Sequence, residues 1–329
     1  MSNSAQSDRS PSQCNRWRTY SMRTLLVLVT GLCLFLGLLG RGMLAAKTEQ
    51  NVVSQIQAAG GKVLYDFEAA QVHEYFENEI EAFHPPPPWL DRKLGIYVQS
   101  RVARVALEGD FSEDLIPPLR QLSRLQKLTI RRDSLSRESL EVVARLPSLR
   151  TLSLDCQQFS AEQLRLLAQS KSLETIELHG ACAKADVVAQ LRHFPVLKEV
   201  ALGDSLANDA SLKALSSCER LETLRLLWTD ASNNGLQYLT TLPHLKFFRS
   251  LGSNIDEQGY PFFMQMPALE TLEVYYPPRV YFGMGIITGP TLGTMDEVRI
   301  AFGKGPYIPD TSLFDDVRKL HRQISRLEE

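Results

Sequence analysis

The chain has little of what builds a disulfide scaffold, a metal centre or a catalytic site. Five cysteines in 329 residues are too few to staple a core, and the six histidines are scattered. No His-Glu-x-x-His and no Gly-x-Ser-x-Gly occurs, which removes the zinc-peptidase helix and the hydrolase nucleophile elbow. Gly283-x-Gly285-x-x-x-Gly289 and Gly303-Lys304-Gly305 lack the Lys-Ser/Thr of a phosphate-binding loop and its strand–loop–helix setting. Neither charge is in excess: 36 basic against 38 acidic residues gives a net of −2, which argues against a nucleic-acid partner. With 44% hydrophobic and 22% charged residues, wholesale disorder, collagen and a multi-pass membrane protein are also excluded. The expectation is a non-enzyme with no metal and no small-molecule cofactor.

Long hydrophobic runs are scarce as well, and the one present is informative. Leu25–Gly40 carries no charge, and with Thr24 and Gly42–Ala46 it reaches the length of a membrane span. Arg16, Arg18 and Arg23, with Trp17 and Tyr20 between them, form a basic-aromatic flank suited to the cytoplasmic interface. A cleaved leader is the competing reading. Bulky Met43 and Leu44 before the candidate site at Ala45–Ala46, and a polar lead of 23 residues, favour an uncleaved anchor. Arg9, Arg16, Arg18 and Arg23 against Asp8 place the N-terminus in the cytoplasm and the rest outside it.

From residue 125 onward a pattern repeats. Leu125-x-x-Leu128-x-Ile130 recurs at starts 149, 173, 197, 221, 245 and 269, always 24 apart, with Ser250 its one polar substitution. Val102/Val105/Leu107 precedes the series by 23, and Met295/Val298/Ile300 follows by 26 as an expected last copy. The second half of each unit has apolar residues three apart, for example Leu140/Val143/Leu146, Leu212/Leu215/Cys218 and Tyr260/Phe263/Met266, which marks one face of a short helix. Ser136, Ser160, Asn208, Ser232 and Asp256 occupy one repeat position and are N-cap residues, Ser160 with Gln163 forming a capping box. Each unit is thus a strand, a turn and a helix too small to bury its own core. Units must stack into a curved solenoid with a parallel sheet on the concave side and helices outside.

The pattern resembles the leucine-rich repeat family over residues 102–302. It departs from the commonest motif at the ninth position, usually Asn, which here holds Asp133, Gln157, Ala181, Ser205, Thr229 and Ser253. With Asn234-Gly235-Leu236 and Gln258-Gly259-Tyr260, it looks like the 24-residue class of bacterial repeat proteins. It is also similar to the repeats of F-box ubiquitin-ligase adaptors, although no F-box-like module precedes it. The flank Arg16–Leu26 further resembles membrane-anchored repeat proteins of planctomycetes.

The expected organisation is a cytoplasmic tail (1–23), a transmembrane helix (24–46), an N-terminal cap (47–101), the repeats (102–276), and an irregular segment, last repeat strand and capping helix (277–329). The cap comprises a helix over 47–59 stopped by Gly60-Gly61, strand character in 62–68, and the Pro85–Pro88 spacer. The closing helix spans 311–327. Cys156 and Cys182 lie in neighbouring units but two positions out of phase, which disfavours a disulfide, and Cys218 falls on a core helix position.

A binding face is the functional expectation. Strand residues between the leucines project from the concave side, and Arg225, Leu227, Trp228, Phe247, Arg249, Leu251, Tyr275 and Tyr276 gather aromatics with arginines on its C-terminal half. That composition suits a protein partner. The same aromatics would equally serve to pack beneath 277–293, and a structural role in the envelope is the other alternative.

Overall fold

The computed structural model describes residues 22–69, 100–276 and 296–301. Within them ten strands form one sheet in chain order. They are β1 (Lys62–Tyr65), β2 (Val102–Glu108), β3 (Lys127–Arg132), β4 (Thr151–Cys156) and β5 (Thr175–Gly180). β6 (Glu199–Gly203), β7 (Thr223–Leu227), β8 (Phe247–Leu251), β9 (Thr271–Tyr276) and β10 (Asp296–Ala301) complete it. β2 to β9 are parallel, and from β3 to β9 each residue faces its counterpart one repeat on: Leu128 opposite Leu152, then Ile176, Val200, Leu224, Phe248 and Leu272. Parallel strands need a crossover, and the helical second half of each unit supplies it. The chain is an α/β leucine-rich-repeat-type solenoid.

The periodic apolar residues of both halves are buried in one continuous core. Truncating any of them, as in Leu152→Ala, removes packing worth about 2–5 kcal/mol. Units are also tied by a backbone ladder. The Gln126 carbonyl accepts the N–H groups of Arg150 and Thr151, and Arg150, Glu174, Lys198, Glu222 and Lys246 repeat that arrangement toward the next unit. The strict interval of 24 is the length that keeps this ladder in register.

The expected caps are in place. Ser136, Ser160, Asn208, Ser232 and Asp256 each accept an N–H from the following turn, and Ser160 and Asn208 complete capping boxes. Neighbouring caps are stitched together: Asp209 accepts from the Ser232 amide and hydroxyl, both at 2.7 Å, and Asn233 from the Asp256 amide. This close approach explains Gly235 and Gly259. A Cβ there would lie 2.6 Å from Asp209 Oδ1 and 2.5 Å from Asn233 Oδ1. At the ninth position, the hydroxyls of Thr229 and Ser253 are buried and pair with each other at 2.9 Å.

The ends differ from the middle. The chain divides into compact units at Met1–Ala45 and Ala46–Glu329. One helix, α1 (Met22–Ala58), covers both the expected span and the expected cap helix. Its stretch from Leu25 is long and apolar enough to cross a membrane, with mean hydropathy 2.1. Its last turns bury Val52, Val53 and Ile56 in the repeat core, and left-handed Gly60 (φ 81°) ends it. β1 then pairs antiparallel with β2.

The expected last repeat strand requires correction. β10 pairs antiparallel with β9, Asp296 opposite Tyr276 and Ala301 opposite Thr271, so it closes the sheet as a hairpin arm and is no further repeat. The Gly- and Pro-rich stretch before it lacks the helix pattern needed for a crossover, and the chain returns along the strand it has just left. Pro85–Pro88, 277–293 and the 311–327 helix lie outside the described residues.

Candidate functional site

Two columns of side chains stand on the concave face. Six of their charged members pair with one another. Lys127 on β3 reaches across β4 to Glu177 on β5 (Nζ–Oε1 3.3 Å), and Arg225 on β7 meets the same carboxylate from the other side at 3.5 Å. Arg225 also binds Glu199 at 2.7 Å, while Arg249 pairs through Nε and Nη2 with Oε2 of Glu273. Burial pushes the Glu177 carboxyl up, but Lys127 and Arg225, with hydrogen bonds from Ser153 and Lys127, outweigh it and hold the group below the ordinary carboxylate value.

This network changes the roles of the expected arginines. Arg225 is only 7% exposed and acts as an internal counter-ion, as does 7%-exposed Lys127. Arg249 is half-buried beside the Phe247 ring, its guanidinium carbon 5.7 Å from the centroid. Lys127, Glu177, Glu199, Arg225, Arg249 and Glu273 thus form ion pairs across the strand face.

One edge of that face is formed where the strands end. Residues 180, 204, 228 and 252 share the eighth repeat position, and all four are left-handed: Gly180 (φ 57°), Asp204 (68°), Trp228 (57°) and Gly252 (69°). Gly adopts this backbone readily, whereas a bulky residue there is a true outlier. Trp228 is held by its own N–H, which donates to the Leu251 carbonyl at 2.7 Å, and by its indole, which lies over Gly252. A Cβ at Gly252 would come within 2.2 Å of Trp228 Cε3. The ring remains 49% exposed.

Leu227 and Leu251 flank it, half-buried. Leu206, in the loop after β6, is 42% exposed; among the described residues beyond α1, it and Trp228 are the large apolar side chains left exposed. Leu206 was not among the expected contact residues. Its signal was available: the tenth repeat position otherwise holds Ser134, Gln158, Cys182, Asp230 and Asn254. Tyr275 and Tyr276 lie at the end of β9, at the same end of the sheet, with their side chains outside the description. Of the expected residues, Leu227, Trp228, Leu251, Tyr275 and Tyr276 lie at this end of the strands, whereas Arg225 and Arg249 face each other in mid-strand and Phe247 begins β8.

His179 packs over Gly203, 3.9 Å from Asp204 Oδ2 at Nδ1, without a nucleophile shown beside it. Among the described residues no cluster of three or more His, Cys, Asp or Glu side chains could hold a metal ion. A cavity of about 320 Å³ between Leu191–Leu197 and Ser217–Leu221 lies at the opposite ends of the strands.

No family model matches this sequence, and no curated protein matches it. Among solved structures, it is similar to a TLR13–ssRNA13 complex at 16% identity and a TM-score of 0.36, covering 51% of this chain and 23% of that one. An internalin (inlF) from Listeria monocytogenes is similar at 14% identity and a TM-score of 0.24, covering 48% and 56%. The chain thus spans well under two thirds of either protein. The leucine-rich-repeat-type architecture stands on this chain's own strand register and 24-residue ladder.

Proposed function

We propose that the chain is a non-catalytic recognition protein, anchored by residues 24–46 with its N-terminus in the cytoplasm, whose repeats bind a protein partner. The contact is the rim formed by Leu206, Leu227, Trp228 and Leu251 and continued by Tyr275 and Tyr276, with Phe247 and Arg249 on the adjoining strand face and Arg225 holding the sheet beside Arg249. The observation that carries this reading is Trp228, a large aromatic kept exposed on a left-handed backbone. Such strain concentrates at functional positions, and Trp is the most enriched side chain at binding hot spots. The resemblance to anchored 24-residue repeat proteins of planctomycetes fits the same topology.

The ion-paired surface of the remaining concave face favours one rival, a structural element of the envelope. Photo-crosslinking in intact membranes separates the two. A probe replacing Leu206, with Trp228 intact, should yield a discrete adduct, while one at exposed Glu138 on the helical side should not. Equal labelling from both positions, or none from either in folded protein, contradicts recognition through the rim.

A further inference from the structure

Cys156 and Cys182 are two positions out of phase in the repeat, yet the fold brings them together. Cys156 ends β4 directly opposite Gly180 of β5. Adjacent strands lie about 4.8 Å apart, and left-handed Gly180 turns the chain at once into the 3-10 turn Ala181–Ala183. That turn carries Cys182 back toward β4. The turn packs against β4 as well as β5, and both cysteine side chains enter the same core cluster. Both side chains are fully buried, and both are reduced in this structure.

We propose that Cys156 and Cys182 form a built-in cross-linking site that a disulfide oxidant converts to an intramolecular disulfide tying two successive repeats together. The reaction is thiol–disulfide exchange. The thiolate of one cysteine attacks the oxidant's S–S bond, forming a mixed disulfide and expelling one thiolate. The second cysteine then displaces the other thiolate, so the protein loses two hydrogens and two electrons, and the oxidant becomes two thiols. The Cys182 thiol is pushed up by its hydrogen bond to Cys156 and by burial, so attack requires transient opening of the turn or takes place before the core closes. Neither the membrane topology nor the rim is needed for this inference.

The remaining cysteines are internal controls. Cys218 is buried without a cysteine partner shown beside it, and its thiol is pushed up to about 11 by burial. Cys33 is exposed on α1, and Cys14 lies outside the described residues.

The test uses the full chain in detergent, held in oxidised or in reduced glutathione, blocked with N-ethylmaleimide in denaturant and digested without reduction. Mass spectrometry should find the Cys156 and Cys182 peptides joined after oxidation and separated by dithiothreitol, with Cys218 blocked as a free thiol in both samples. Closing a loop of about 25 residues should also raise the Tm by roughly 5 °C. That difference between oxidised and reduced protein should vanish in Cys182→Ala and persist in Cys218→Ala. Maleimide on both Cys156 and Cys182 after oxidation, or a glutathione adduct on either alone, overturns the proposal. The peptide result comes from the unsubstituted chain, so it decides the question even where Cys182→Ala folds poorly.

Discussion

The early and late repeats are built from one pattern and end their strands differently. In β3 and β4 the strand continues through the eighth position, where Arg132 and Cys156 pair with each other. Their exits are polar, with Arg131 binding Asp155 at 3.0 Å and Glu108 at 3.9 Å. In the units of β5 to β8, as at Gly109 after β2, that same position is left-handed and the chain turns away. Side chains that an extended strand would have pointed along the sheet then stand at its rim. The difference shows that a solenoid can change what it presents without changing its ladder, since the 24-residue hydrogen bonding is uniform across both halves.

The largest effect should come from breaking the surface both halves share. Glu177→Ala removes a carboxylate that both Lys127 and Arg225 bind, at a cost of about 3 kcal/mol in urea unfolding. A loss below about 1 kcal/mol would mean that the network is a solvated surface.

Gly252→Ala tests the rim itself. The added Cβ meets the indole at a left-handed position, so about 2 kcal/mol should be lost. Gly109→Ala, also left-handed but with open space around it, should cost less. Equal losses would show that backbone strain alone matters and that Trp228 is not seated on Gly252.

Acid sharpens the contrast further. Glu177 and Glu113 are both held below the ordinary 4.5. For Glu113, burial pushes upward, but hydrogen bonds from Ser136 and Ser139 and the charge of Arg132 prevail. A carboxyl depressed in the folded state contributes stability that is present above its unfolded value and lost as pH falls through its folded one. Stability should therefore decline below about pH 4.5, and Glu177→Gln should flatten that decline. An unchanged acid limb in Glu177→Gln would contradict the assigned pairing.

Strand positions, helix faces and five N-caps were legible because each depends on local spacing. Every one of these residues interacts within its unit or with its counterpart 24 residues away. What escaped depends on backbone handedness or on long side chains. Lys127 and Glu177 are 50 residues apart, in different columns, and meet because both side chains span a strand. Cys156 and Cys182 meet through one left-handed glycine. β10 obeys the apolar spacing of a repeat strand, but spacing carries no direction, and its antiparallel course was invisible. Of the rim, Leu227, Trp228 and Leu251 were placed at the strand ends by phase, while Leu206, in the loop after β6, was missed. Arg225 was misplaced because phase reports which face a residue occupies and says nothing of the carboxylates around it.

The smallest predicted change in stability belongs to the most consequential substitution. Trp228→Gly removes the left-handed strain along with the ring, so unfolding free energy should stay within about 1 kcal/mol of the unsubstituted chain. A ring serving as core would cost about 3–5 kcal/mol instead. The decisive measurement is crosslinking from a probe at Leu206 in that Trp228→Gly background, with folding verified by urea titration of the same sample. An adduct seen with Trp228 present and lost without it, at an unchanged urea midpoint, is the predicted result. An adduct that persists unaltered, or a midpoint that collapses with the substitution, would contradict the claim that this tryptophan is displayed for a partner.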